Sequence, residues 1–288
     1  MAKIGFIGLG IMGKPMAMNM LKKGCDMMVY DLNAAAVSEL EAQGAQSGTP
    51  AQIGVACEII FTSLPTGGIV QEVLLGADGV ASTAPKGTLV VDTSSVTPTQ
   101  AQYCAQKLEP MGIAFVDSPV SGGEPGAVNA TLAFMAGGRQ ADFDRALPYF
   151  QMMGASALLI GDVGAGSITK LANQVIVNLT IATVSEALVM ATKAGVDPEK
   201  VYQAIRGGLA GSTVLNAKAP MMIARDFKPG GKISINHKDI KNVIETAHAI
   251  DAPMPLTAQL FEIMQALKVA GHMDDDHGGI DHCAIYCA

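Results

Sequence analysis

Lys3-Ile4-Gly5-Phe6-Ile7-Gly8-Leu9-Gly10-Ile11-Met12-Gly13-Lys14-Pro15, followed by Met27-Met28-Val29-Tyr30-Asp31, decides the fold. A short apolar run leads straight into Gly8-x-Gly10-x-x-Gly13. A helical pattern continues to about Lys23, and a second apolar run ends on an acidic residue. Each part has a mechanical reason. Gly8 permits the tight turn, Gly10 lets a pyrophosphate approach the backbone, and Gly13 lets the helix pack closely on the strand. The helix N-terminus offers free N–H groups to the phosphates. Leu9, Ile11 and Met12 fill the remaining positions of that loop. A lone glycine motif is weak, but here strand, glycines, helix, strand and acid arrive in order. Asp31 stands about 20 residues beyond the glycines, as a dinucleotide fingerprint requires. Its carboxylate suits the ribose hydroxyls of NAD and repels the extra phosphate of NADP. Leu32-Asn33 supply no arginine to welcome that phosphate. NADH is therefore the expected cofactor, with NADPH left open through Lys22 or Lys23.

Composition agrees with a soluble enzyme. The chain has 288 residues, enough for two domains and a large core. Its net charge of −7 and pI near 5.2 argue against a nucleic-acid partner. Cys25, Cys57, Cys104, Cys283 and Cys287 form no zinc-type spacing and leave an odd thiol, which fits a reducing cytoplasm. The N-terminal apolar stretch is broken by glycines, so no signal peptide is expected. One long apolar segment, Leu171 to Ala194, resembles a membrane span in length. Asn173, Gln174, Asn178, Thr180, Thr183 and Ser185 interrupt it, and a helix buried inside protein is the expected state. No membrane partner is expected.

Apolar strands alternate with helices as far as about residue 162. They are expected at Ile59–Leu64, Thr88–Asp92, Ile113–Asp117, Leu132–Ala136 and Ala157–Ile160, with a capped helix opening at Thr97-Pro98. Such a pattern predicts a parallel-rich sheet covered on both faces, an α/β Rossmann-like domain over residues 1–163. Ligands on these sheets bind at the carboxyl ends of strands. The loops after Leu64, Asp92 and Asp117 are expected to line the site, with Leu64, Pro65, Ser95 and Val96 on the cofactor side. Beyond residue 163 strand signals vanish. Helical spacing around Asp197–Ile205, His237–Ile250 and Leu256–Ala270 predicts an all-α domain over 164–288, entered by the long helix.

Lys170 is the only charged residue between Asp162 and Glu186. An ammonium near a helix start stands at the unfavourable end of the dipole, and burying it costs more unless it is paired or used. Lysine also exchanges protons near neutrality when its surroundings shift it. A lysine snorkelling to the surface is the competing reading. Ser118-Pro119-Val120-Ser121-Gly122-Gly123 places a hydroxyl and two glycines at a strand end, either a carboxylate cradle or an ordinary Pro/Gly turn. Lys238, in Asn236-His237-Lys238-Asp239, either faces the site or is solvated. His272, Asp274, Asp275, Asp276 and His277 read as a solvated acidic turn, and no metal is expected.

Gly5 through Gly13, Asp117 through Gly123, Gly164-Ala165-Gly166 through Lys170, and Lys238-Asp239 together resemble the β-hydroxyacid dehydrogenase family. The motifs occur in order across nearly the whole chain. The resemblance implies a Rossmann-like domain, a long interdomain helix and a helical substrate and assembly domain, in a homodimer or homotetramer. It implies Lys170 as the catalytic acid/base. Ser121, Gly122 and Gly123 would hold the substrate carboxylate with Asn173 and Gln174 nearby, and Lys238 would lie by the nicotinamide. Within the family, Lys170 through Val177 and Ile205 through Leu215 resemble the branch that reduces tartronate semialdehyde to glycerate. A methyl-bearing semialdehyde is the rival substrate. Arg206–Thr213 is the expected partner of the substrate hydroxyl. A protein that only bound a dinucleotide would need Gly8, Gly10, Gly13 and Asp31 but not Lys170 or the Ser121 loop. Asp281-His282-Cys283-Ala284-Ile285 departs from the family in carrying cysteine for serine, and relatives continue beyond it.

Overall fold

The structure, a computed structural model, describes residues 2–282. Cys283, Cys287 and the rest of the C-terminal departure lie outside the described residues. By its contacts the chain divides into two compact units, Met1–Lys170 and Leu171–Ala288.

The first unit is built on six parallel strands: β1 (Ile4–Ile7), β2 (Met27–Tyr30), β3 (Gln46–Ser47), β4 (Ile59–Thr62), β5 (Leu89–Asp92) and β6 (Ala114–Asp117). Their order is β3-β2-β1-β4-β5-β6, the doubly wound arrangement whose strand ends open into a ligand crevice. Three further strands extend the sheet: β7 (Val120–Ser121), β8 (Leu132–Gly137) and β9 (Gly154–Gly161). β8 runs antiparallel to β6 and β7 and parallel to β9.

The near-continuous apolar strands follow from this layering, because both faces are covered. Side chains alternate across a strand, so Phe6, Phe61 and Val91 meet one helical layer while Ile7, Ile60 and Val90 meet the other. The first layer is supplied by α1 (Gly13–Lys22) and by α7 (Gln140–Met153), whose Phe150 stacks on Phe134 at 4.6 Å between ring centres. The second is supplied by α3 (Pro50–Ala56), α4 (Gly67–Leu75) and α5 (Pro98–Leu108). The expected helix start at Thr97-Pro98 carries a full capping box, Thr97 with Gln100. Cys25, Cys57 and Cys104 are free thiols inside this unit, and burial pushes Cys57 up to about 11 and Cys104 to about 12. They are packing residues, with little thiolate at neutral pH.

The remaining helices are α2 (Ala34–Glu41), α6 (Gly123–Val128) and α8 (Ala165–Lys193), then α9 (Pro198–Ile205), α10 (Thr213–Ala224), α11 (Ile233–Ala249) and α12 (Pro255–Ala270). The second unit contains no strand among its described residues and packs Ile181, Leu188, Leu215, Ile240 and Met264 into one apolar cluster. α10 was not expected from the periodicity. Its apolar residues are spread around the axis, and Pro220 sits inside it, so it presents no helical stripe. Ser212 starts it by accepting the Leu215 N–H at 3.0 Å.

The expectation that the long apolar helix is buried needs correction. Only 28% of its most apolar window is buried. Leu171, Ile181, Val184 and Leu188 turn to the helical core, while Ile176 and Met190 are 68% and 71% exposed. The helix is apolar all round, and one chain covers only part of it.

Asp276 ties the C-terminal segment to this unit. It is fully buried and accepts from Lys218 Nζ at 2.7 Å and from the Gly230, Gly231 and Gly278 N–H groups. Burial alone would raise its carboxyl, but the Lys218 bond, the Gly278 N–H and the nearby His277 hold it below the usual range. A depressed carboxyl contributes stability above the unfolded pKa that is lost as pH falls through the folded one. Asp276→Asn is expected to destabilise the helical unit at pH 7 by about 3 kcal/mol, because it strips the partner from a mostly buried lysine. The variant should also lose less stability than the parent below pH 4. Urea melts at pH 3, 4 and 7 check both effects.

Candidate functional site

The glycine loop behaves as its spacing demands. Gly8 adopts φ +96°, and a side chain there would press its Cβ to 2.3 Å from the Ser63 carbonyl oxygen. A Cβ on Gly13 would lie 1.9 Å from the Gly8 carbonyl oxygen, so the first turn of α1 could not sit against the strand. Gly10 differs, since nothing lies within 4 Å of an added Cβ there. α1 also begins without a side-chain cap, whereas α2, α3, α4 and α5 are capped by Asn33, Thr49, Thr66 and Thr97. An uncapped helix start beneath open backbone fits a pyrophosphate.

Asp31 closes this end. Its Oδ2 accepts the Leu9 N–H at 2.5 Å and its Oδ1 accepts the Asn33 N–H at 2.7 Å. Those bonds fix the carboxylate beside the glycine loop, and each oxygen keeps a lone pair for a hydroxyl. Lys23 donates to the Gln151 and Met152 carbonyls at the far end of α1, about 15 Å along the axis. It is thereby removed from the ribose end. Leu9 and Val96 are each 3% exposed, so only their backbone can meet a ligand. Ile11 and Pro65 are exposed, while Met12, Leu64 and Ser95 are half-buried.

The loops after β4 and β5 are held by a polar knot that sequence reading passed over. Asp92 Oδ1 accepts the Thr62 hydroxyl at 2.8 Å and the Ser94 N–H at 3.1 Å. Thr93 donates its hydroxyl to the Thr62 carbonyl at 2.7 Å, and Ser94 Oγ accepts the Leu64 N–H at 2.8 Å. One carboxylate thus sets the path of both loops. Its signal in the sequence was an acid ending an apolar strand and followed by Thr93 and Ser94, with Thr62 ending the strand before it.

Asp117, directly beside Asp92 in the sheet register, has a different task. Its Oδ1 accepts the Gly164 N–H, and its Oδ2 accepts both the N–H and the hydroxyl of Ser167, all within 2.7–2.9 Å. The carboxylate therefore caps α8, the helix that carries half-buried Lys170 one turn further on. Ser118 is wholly buried, but beyond it the chain surfaces. Ser121 ends β7 half-buried, and Gly122 and Gly123 are exposed at φ +136° and +62°. Those two conformations favour glycine and present backbone N–H groups, as a carboxylate cradle needs.

In the second unit, Gln174 of α8 meets α11, with Asn173 bonded to it. Gln174 is 6% exposed and donates through Nε2 to Asp239 Oδ2 at 2.7 Å and to Asn236 Oδ1 at 3.3 Å. Its Oε1 accepts from Asn173 Nδ2 at 2.9 Å. Lys238 Nζ lies 3.1 Å from Asp239 Oδ1. Sequence reading quoted Asn236-His237-Lys238-Asp239 but gave a role to Lys238 alone. Two buried polar residues three apart on an otherwise apolar helix face were the available signal. Arg206 through Ala210, expected to read a substrate hydroxyl, form an exposed turn in which Arg206 covers Tyr202.

His272, Asp275 and His282 bring ligand-type atoms within 4.8 Å of one another. The two rings stack at 4.2 Å with 15° between their planes, and both turn a nitrogen to Asp275 Oδ2, His272 Nδ1 at 2.9 Å and His282 Nε2 at 3.4 Å. Arg225 Nη2 lies 3.4 Å from His282 Nδ1, and burial, His272 and Arg225 lower that imidazole's pKa.

Burial pushes Asp92 up to about 6, with the hydrogen bonds from Ser94 and Thr62 opposing and Asp117 adding to the rise. A carboxyl raised in the folded state favours folding once protonated. Wild-type stability should therefore gain as pH falls from about 6 towards 4 and lose the same amount on return. At about 1.4 kcal/mol per unit the swing is of order 3 kcal/mol. Asp92→Asn should flatten that part of the stability profile, a difference that thermal melts across pH 4–7 measure.

Comparison with known proteins gives two profiles and close relatives. Residues 3–161 match the NAD binding domain of 6-phosphogluconate dehydrogenase, and residues 164–282 match the NAD-binding family of NADP-dependent 3-hydroxyisobutyrate dehydrogenase. The chain is 41% identical to 2-hydroxy-3-oxopropionate reductase of Escherichia coli (strain K12), covering 96% of this chain and 95% of that one. It is 32% identical to 3-hydroxyisobutyrate dehydrogenase of Pseudomonas aeruginosa, over 99% and 97%. The solved structure of Mycobacterium tuberculosis 3-hydroxyisobutyrate dehydrogenase with L-serine superposes with a TM-score of 0.90 at 30% identity, over 98% of each chain.

Proposed function

Because the chain belongs to the β-hydroxyacid dehydrogenase family, we propose that it reduces tartronate semialdehyde (2-hydroxy-3-oxopropionate) to glycerate with NADH. As a member of that family it is an NAD(P)-dependent oxidoreductase. The substrate rests chiefly on its 41% identity, end to end, with the reductase from Escherichia coli. Preference for NADH rests on Asp31, whose acceptor-only carboxylate at the glycine loop opposes a 2′-phosphate.

Bound NADH supplies the hydride to the aldehyde carbon. Everything else is asked of the chain. Gly10 and the uncapped start of α1 hold the pyrophosphate, Asp31 the adenosine ribose, and Lys238 serves the nicotinamide end. Ser121 and the N–H groups of Gly122 and Gly123 fix the substrate carboxylate, leaving its carbonyl to Lys170. As negative charge grows on the carbonyl oxygen, the Lys170 ammonium stabilises it and donates a proton to that oxygen. In the oxidising direction neutral Lys170 takes the proton from the hydroxyl. Asp117 matters indirectly, because it holds the end of α8 from which Lys170 projects.

The second reading is oxidation and reduction of the methyl-bearing 3-hydroxyisobutyrate pair, supported by the relatives of that name. The exposed Ile176 and Met190 support a homodimer or homotetramer built over α8. The net charge of −7 and the buried free thiols suit a cytoplasmic enzyme.

Steady-state assays offering tartronate semialdehyde and methylmalonate semialdehyde, each with NADH and NADPH, test the assignment. Fast turnover of the first substrate with NADH is expected. Preference for the methyl substrate would move the enzyme to the second reading. Lys170→Ala should lower turnover at least 10²–10⁴-fold, the range of acid/base catalysis, with folding intact by circular dichroism. Near-normal turnover in that variant would sink the mechanism.

A further inference from the structure

Asp92 and Asp117 are neighbours in the sheet register, and each is 1% exposed. Two carboxylates so placed, away from water, do not both hold their charge easily. Donors decide which one yields. Asp117 is committed on both oxygens, to the Gly164 N–H on Oδ1 and to the Ser167 N–H and hydroxyl on Oδ2. Asp92 divides its oxygens instead. Oδ1 accepts the Thr62 hydroxyl at 2.8 Å and the Ser94 N–H at 3.1 Å, while buried Oδ2 has no hydrogen-bond partner among the described residues. A proton on Oδ2 therefore leaves Oδ1 as a carbonyl oxygen that keeps both bonds. The loops after β4 and β5 stay tied while the charge disappears.

The groups that face Asp92 do not compete for that proton. Asp117 on β6 adds negative charge, and Cys104 on α5 is a thiol pushed up to about 12. Thr62, Thr93 and Ser94 offer only hydroxyls and backbone. Residues 1–170 contain no histidine. Burial brings the Asp92 carboxyl to about 6, within reach of a further charge nearby. The glycine loop begins just past Ile7, which lies in register with Thr62 and, one strand further, with Asp92. Two strand spacings put Asp92 about 10 Å from the end of β1. At that distance, in an effective dielectric of ~20, the two charges of a bound pyrophosphate raise a carboxyl by roughly one unit or more.

We propose that Asp92 takes up a proton from solvent, on Oδ2, when the dinucleotide binds, so that cofactor affinity rises as pH falls through the range just below neutrality. Asp92 is thus a positioning residue through Oδ1 and a proton acceptor through Oδ2. The sign follows from linkage. An anionic ligand raises the carboxyl in the complex, so the complex binds more protons than the free protein, and acid favours it. The gain levels off once the free protein is itself protonated. This rests on the dinucleotide site at the glycine loop and is independent of which semialdehyde is the substrate.

The test is the dissociation constant of ADP-ribose, which carries the pyrophosphate without the nicotinamide, measured on the full-length protein between pH 8 and pH 5.5. In the parent, affinity should rise about fivefold or more across that range. Asp92→Asn matches the protonated carboxyl in shape and charge, and its Oδ1 keeps both bonds. It should bind at pH 8 as tightly as the parent does at pH 5.5, with less than about twofold change between the two. A purely structural role predicts the opposite, weaker binding at every pH with the parent's slope retained. That result overturns the proposal, and so does a smaller rise in the parent. Should the variant fail to fold, calorimetry of the parent in two buffers of different ionisation enthalpy carries the test. Uptake of about half a proton per ADP-ribose at pH 6.5 is expected, and no uptake, or release, would refute the proposal. A parent that binds no ADP-ribose at any pH loses the dinucleotide site at the glycine loop, and this inference with it.

Discussion

The bond on which the proposed catalytic arrangement depends is the one Asp117 makes to the first turn of α8. A carboxylate at the end of β6 accepts from Gly164 and twice from Ser167, and in doing so satisfies donors that a helix start leaves open. It also places negative charge at the positive end of the helix dipole. Lys170 stands one turn beyond. Glycine at 166 is dictated by the same contact, since a Cβ there would lie 2.2 Å from the Met135 carbonyl oxygen. The Gly-Ala-Gly before the lysine is therefore a packing requirement of the helix start.

Asp92 and Asp117 show how neighbours in one sheet register divide tasks. Both end parallel strands and both are buried. Asp117 has hydrogen-bond partners on each oxygen, supplied by the helix it caps. Asp92 has them on Oδ1, and its buried Oδ2 meets no hydrogen-bond partner among the described residues. That difference is one of local donors and is invisible in the residue type. Asp92 spends its bonds on the loops after β4 and β5 and so fixes the path of both.

Much of this was legible in the chain. The Gly8-x-Gly10-x-x-Gly13 loop, the strand to Asp31 and the capped helix at Thr97 follow from local rules, and each is a requirement of backbone geometry or short-range hydrogen bonding. The helix at Thr213–Ala224 was not legible, because tertiary packing rather than an apolar stripe holds it. The long helix was misjudged for a related reason. Composition shows that α8 is apolar, but which face its own chain covers depends on the other helices.

The sequence by itself determined the dinucleotide loop, the order of strands and helices, and the singular position of Lys170. All of these are encoded by spacing along the chain, where the physics is local. Only the tertiary structure decided that Asp92 ties two loops together and that Asp117 caps a helix 47 positions away. It alone revealed that Gln174 is consumed by Asn236 and Asp239, more than sixty positions distant. The direction of a hydrogen bond is set by both partners, and a residue's letter states what it can donate or accept but not what it will meet.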